Sequence, residues 1–118
     1  MQDKKVNLGV IGCGYWGPNL IRNFSSLSNC NLSIASDISD GRLSFIHNEF
    51  PNIKLTKNYE DLLNDKDIDA VCIATPVNTH ARFTIEALKS GKHVFVEKPM
   101  ARSLKEAEEM SETAKLMD

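Results

Sequence analysis

A chain of 118 residues, 42% of them hydrophobic, is long enough to bury one core and short for two domains, so residues 1–118 are expected to form a single domain. Its 14 basic and 16 acidic side chains leave a net charge of -2, which gives no basic field for nucleic acid or an anionic membrane surface. No apolar run approaches the roughly 20 residues that span a bilayer, and Met1 to Lys5 lacks the apolar stretch of a secretory signal, so a cytoplasmic protein is expected. Cys13, Cys30 and Cys72 are odd in number and lack Cys-x-x-Cys spacing, which argues against a disulfide framework and against structural zinc.

Short apolar runs alternate with stretches of helical period, the pattern of β-α-β units and a parallel sheet covered on both faces. The first strand is predicted over Val6 to Ile11, followed by a helix from Pro18 with Leu20, Ile21, Phe24 and Leu27 on its apolar face. A second strand, Asn31 to Ser36, ends at Asp37. Its helix runs from about Asp40 to Phe50, with Leu43, Ile46 and Phe50 in one stripe, until Pro51 stops it. A third strand, Ile53 to Thr56, leads to a short helix capped by Asn58, with Tyr59, Leu62 and Leu63 facing the core. The fourth strand, Asp69 to Ala74, is apolar enough for a central position, and Thr75-Pro76 ends it. A helix from about Thr79 to Ser90, capped by Asn78 or Thr79, closes at Gly91 before a fifth strand from His93 to Val96. The last helix opens on a capping box, Ser103 and Glu106, and carries Leu104, Ala107, Met110, Ala114 and Met117 on one side.

Five strands in strict alternation with helices, joined by right-handed crossovers, predict an α/β doubly wound parallel Rossmann sheet of strand order 3-2-1-4-5. A sixth strand would be due just after Asp118, so the edge of strand five and the face of Met110, Ala114 and Met117 are expected to be uncovered and to self-associate.

Gly12-Cys13-Gly14-Tyr15-Trp16-Gly17 is a Gly-x-Gly-x-x-Gly string that follows an apolar strand, opens a helix, and is followed by Asp37 at the end of the next strand. Gly12 suits a tight turn, Gly14 removes a side chain that would block a pyrophosphate, and Gly17 lets helix and strand pack closely. The helix N-terminus then offers unpaired N–H groups and a partial positive charge to phosphates. Asp37 would accept from both ribose hydroxyls of an adenosine and repel a 2′-phosphate, favouring NAD over NADP; the neighbouring Ile38 and Arg42 belong to the same region, Arg42 softening the preference. A structural glycine turn without dinucleotide is the competing reading.

Ligands of such sheets bind at the carboxyl ends of the strands, where Thr75-Pro76-Val77-Asn78-Thr79-His80 and Glu97-Lys98-Pro99 fall. A lysine at the end of an apolar strand can donate to a substrate oxygen, or act as an acid or base when desolvated; a surface ion pair is the alternative. His80 fits a structural donor as well as a chemical group.

With the Tyr15-Trp16-Gly17-Pro18 continuation, Ala74-Thr75-Pro76 with Asn78 and His80, Ser90-Gly91-Lys92-His93-Val94 and Glu97-Lys98-Pro99, the whole chain resembles the glucose-fructose oxidoreductase and inositol dehydrogenase family, Gfo/Idh/MocA. The resemblance implies that the glycine loop, Asp37 and the Thr75 to His80 segment bind the dinucleotide, that Glu97 lies by the nicotinamide ribose, and that Lys98 is catalytic, handling the proton of a substrate hydroxyl. It further implies reversible hydride transfer between nicotinamide and a sugar, cyclitol or sugar-nucleotide carbon, with the 3-hydroxyl of nucleotide-linked amino sugars as one lead. A C-terminal α+β domain would bind that substrate and is absent from these residues, so the domain alone is expected to hold cofactor without turnover. A stand-alone dinucleotide-binding regulatory or interaction module is the alternative function.

Overall fold

The computed structural model describes residues 5–13, 17–96 and 99–117. In chain order these form β1 (Val6–Ile11), α1 (Gly17–Ser25), β2 (Cys30–Ser36), α2 (Asp40–Glu49), β3 (Lys54–Thr56), α3 (Glu60–Asn64), β4 (Ala70–Ile73), a 3₁₀ turn over Val77–Thr79 that runs into α4 (His80–Lys89), β5 (His93–Val96) and α5 (Leu104–Met117). The strands make one sheet in the order β3-β2-β1-β4-β5, every pair parallel, which is the predicted doubly wound topology.

Side chains of successive strand residues point to opposite faces, so the sheet builds two apolar layers. Leu8, Val10 and Cys72 pack on one face with Ile21 of α1 and Ile46 of α2. Ile11, Val71 and Ile73 pack on the other with Leu62 and Leu63 of α3 and Ala87 of α4. In the pairing of β1 with β2 the register shifts between Leu8 and Gly9, whose partners are Leu32 and Ile34. The extra residue, Ser33, reverses the alternation, so that Ala35 rejoins Leu32 in the first layer while Ile34 enters the second.

Local chemistry explains most element ends. Ser39 caps α2, its hydroxyl accepting from Arg42 N–H at 3.3 Å. The Asn58 side chain accepts from Glu60 N–H at 3.0 Å at the start of α3, and Gly91 takes φ +84° after α4, a conformation open to glycine. Several expectations need correction. α1 ends at Ser25, which leaves Leu27 exposed instead of on the helix face. No side-chain cap opens α4: the Thr79 hydroxyl turns back to Pro76 O at 2.6 Å. The capping box of α5 is half formed. Ser103 Oγ accepts from Glu106 N–H, but the Glu106 carboxylate takes Arg102 N–H and the Arg102 guanidinium, the stronger charged partner. Of the apolar side predicted for α5, Met110 is buried and Ala107 half-buried, whereas Leu104, Ala114 and Met117 face outward.

At the amino end of the sheet the Lys92 side chain is buried and donates to Asp65 O at 2.5 Å and Ile68 O at 2.7 Å. One ammonium thus fastens the loop between α3 and β4 to the start of β5.

Candidate functional site

The carboxyl ends of β1, β2 and β4 open into a cleft of about 670 Å³, within the range of small-molecule sites. Its floor is the turn after β1. Gly12 sits at φ +93°, and a Cβ there would lie 2.7 Å from Thr75 Cγ2 and 2.9 Å from the Ala74 carbonyl. Backbone conformation and lack of space therefore both demand glycine. The Gly12 N–H donates to Ser36 O at 2.8 Å, which ties the turn to the end of β2.

Asp37 is the electrostatic centre of the cleft. It is only 7% exposed. Its Oδ2 accepts from Cys13 N–H at 2.7 Å and its Oδ1 from Ser39 N–H at 2.8 Å, while Arg42 Nη1 stands 3.7 Å from Oδ2. Two main-chain donors and one guanidinium thus stabilise a buried carboxylate, and a carboxylate's roughly four acceptor positions leave room for further hydroxyl donors. Cys13 Sγ contacts Ser36 O at 3.6 Å, and burial, reinforced by the Asp37 charge, pushes its thiol up to about 12.

Thr75, Pro76, Asn78 and His80 form the wall after β4. The hydroxyls of Thr75 and Thr79 lie 2.6 Å apart, closing the 3₁₀ turn on itself. His80 is 2% exposed, with Nδ1 2.8 Å from Pro99 O and Nε2 2.7 Å from Thr75 O. Both ring nitrogens lie against main-chain carbonyls, and the neutral ring donates its one N–H to one of them. The imidazole therefore braces the loop after β4 against the segment after β5, and of the two roles open to it in the sequence the geometry is that of a structural brace.

Gly12, Asp37, Ile38, Arg42, Thr75, Pro76, Asn78 and His80 are brought together here. Gly17 is the first residue of α1. Gly14, Tyr15, Trp16, Glu97 and Lys98 lie outside the described residues. Sequence reasoning missed Lys57, Tyr59 and Phe83, which line the same cleft. Lys57 follows the third strand, and the rule that ligands gather beyond strand carboxyl ends would have reached it had it been applied to every strand. The Tyr59 and Phe83 rings meet with centroids 4.6 Å apart, and the Tyr59 hydroxyl donates to Glu86 Oε1 at 2.8 Å. Among the described residues no group of three or more His, Cys, Asp or Glu is placed to hold a metal ion, and no helix is long and apolar enough to cross a membrane.

A parallel sheet of this order, with a glycine turn and a buried acid at its carboxyl edge, defines the class of dinucleotide-binding α/β domains. Within that class the chain belongs to the Gfo/Idh/MocA oxidoreductase family with NAD-binding Rossmann fold, whose profile matches residues 6–118. It is 32% identical over 113 residues to a myo-inositol 2-dehydrogenase from Thermotoga maritima, a match covering 96% of this chain and 34% of that one. The structure of an NAD-binding protein from Listeria innocua superposes with a TM-score of 0.90 at 31% identity, covering 97% of this chain and 33% of the other. A 3-ketoreductase from Actinomadura kijaniata, solved in complex with NADP and TDP-benzene, gives 0.89 at 25% identity over 97% of this chain and 35% of its own. The chain spans about a third of the length of the curated relatives it matches.

Proposed function

We propose that the cleft binds NAD in preference to NADP, as the cofactor half of an enzyme that transfers a hydride between nicotinamide and a hydroxyl or keto carbon of a sugar, cyclitol or sugar nucleotide. The carrying observation is the buried Asp37 carboxylate, held by Cys13 and Ser39 N–H groups beside a Gly12 turn that no other residue fits. Acceptor capacity left on Asp37 suits the adenosine ribose hydroxyls, and the glycine-rich sequence between Gly12 and the start of α1 suits the pyrophosphate. The cofactor, when bound, supplies the hydride acceptor or donor. Thr75, Pro76 and Asn78 shape the nicotinamide end, with Glu97 at its ribose. His80 acts as a positioning residue, because its brace to Pro99 fixes the segment that follows Lys98. Lys98 holds or releases the proton of the substrate hydroxyl. The names of the inositol dehydrogenase and the 3-ketoreductase support a polyol or nucleotide-linked sugar as substrate, bound through a further domain of the full-length enzyme.

A cytoplasmic location is proposed, since that compartment keeps thiols such as Cys13 and Cys30 reduced. For residues 1–118 taken alone we propose self-association through the side of β5, the last strand of the sheet among the described residues, where Phe95 is 51% exposed, and through the outward side of α5. Sedimentation at high concentration checks this, and a monodisperse monomer removes it. Titration calorimetry with NAD tests the central proposal: saturable one-site binding is expected, and no heat at millimolar NAD overturns it.

A further inference from the structure

Two cations, one from a helix and one from the residue after a strand, line the cleft that holds Asp37. Arg42 arrives on the first turn of α2 and stands 3.7 Å from the carboxylate. Lys57 arrives from β3: Ser36 pairs with Thr56, Asp37 N–H donates to Thr56 O at 3.2 Å, and the next residue is Lys57. Its Nζ lies 3.2 Å from Asp40 Oδ1, with both side chains largely in water, 59% and 82% exposed. The negative charge of Asp37 is already opposed by two main-chain N–H groups and by Arg42, so its repulsion of a nearby anion is muted. Exposed ion pairs contribute little and exchange readily, whereas an ammonium meeting a phosphate makes a charge-assisted bond to a doubly charged acceptor. Lys57 is thus free to leave Asp40 for a phosphate at the ribose position.

We propose that Lys57, acting with Arg42, is a specificity-determining residue that admits the 2′-phosphate of NADP beside Asp37, so that the domain accepts both dinucleotides. Asp40 is the internal competitor, holding Lys57 when the ligand carries no 2′-phosphate. The inference rests on the dinucleotide reading above, and its test separates the two.

Calorimetry on the purified protein with NAD, NADP and the fragment pair 5′-AMP and 2′,5′-ADP isolates the adenosine end. NADP should bind within about tenfold of NAD. Lys57→Gln should weaken NADP and 2′,5′-ADP about five- to tenfold while moving NAD and 5′-AMP less than about twofold. Asp40→Asn should act with the opposite sign, tightening NADP about two- to threefold, and this gain should vanish in the double variant. Saturable NAD binding with none for NADP at a hundredfold higher concentration overturns this proposal and leaves the dinucleotide reading standing, as does a Lys57→Gln variant that shifts both cofactors equally. Binding of neither nucleotide overturns both.

Discussion

Replacing Asp37 by alanine should damage the fold and the cofactor site together, because the same carboxylate serves both. The substitution removes the acceptor of Cys13 N–H, a buried bond of 2.7 Å, and of Ser39 N–H, a partly buried one of 2.8 Å. Loss of a charged partner from a buried donor costs about 1.5–3 kcal/mol, while water can reach Ser39 and limit that loss to less than about 1 kcal/mol. Arg42 is half exposed, so releasing it changes little, and the relief from no longer burying a carboxylate offsets part of the total. The net loss is about 2–3 kcal/mol out of the 5–15 kcal/mol typical of a domain, a fall in Tm of ~10–15 °C at this size. Asp37→Asn should lie between wild type and alanine, since one amide oxygen can serve only one of the two N–H groups while the NH₂ confronts the other. Thermal unfolding followed by circular dichroism gives the stabilities, and calorimetry below the lower Tm gives NAD affinity, expected to fall at least ~10-fold in both variants. An alanine variant melting within ~2 °C of wild type, or an asparagine variant binding NAD undiminished, would refute this account of Asp37.

Gly12→Ala combines a disfavoured φ of +93° with a Cβ 2.7 Å from Thr75 Cγ2, and should cost about 2–4 kcal/mol in urea unfolding; a loss below ~1 kcal/mol would mean the turn relaxes. Lys92→Met keeps the buried stem but strips the donor from Asp65 O and Ile68 O, so stability should drop by about 2–4 kcal/mol while NAD affinity holds, the staple lying at the far end of the sheet. The Cys13 thiol, at about 12 against an ordinary 9.0, stays protonated in the folded state while the unfolded chain ionises. Its contribution is complete below pH 9 and is lost as pH rises from 9 towards 12, by about 1.4 kcal/mol per unit, so Cys13→Ala should show a flatter decline in that window. Equal slopes for the two proteins would contradict the buried, neutral thiol.

The first and last strands in chain order were legible in the sequence because their limits depend on local signals. Val6 to Ile11 and His93 to Val96 are mainly apolar runs with glycine or proline within three residues of at least one end, and the predicted bounds coincide with β1 and β5. The alternation of strands and helices points to a doubly wound parallel sheet once crossover handedness is imposed, the glycine loop after β1 narrows it to the order 3-2-1-4-5, and the family follows from motifs a few residues long. Elements whose limits depend on competition were less readable. The reciprocal half of the capping box failed because a stronger partner, Arg102, was available to Glu106, and α1 stops at Ser25 where the chain tightens, Leu27 N–H turning to Phe24 O.

What only the tertiary structure decided is how each polar group spends its bonds. Nothing in the order of residues says that Cys13 N–H and Ser39 N–H converge on Asp37, or that the His80 ring lies between carbonyls of two different loops. The bulge at Ser33 and the arrival of Lys57 in the same cleft as Arg42 likewise come from the packing of β2 against its two neighbours. The physical reason is that periodicity and spacing report which face a residue shares with near neighbours in the chain. Hydrogen bonds and ion pairs at a sheet's carboxyl edge join segments separated by tens of residues, and they are set only when the strands are in register.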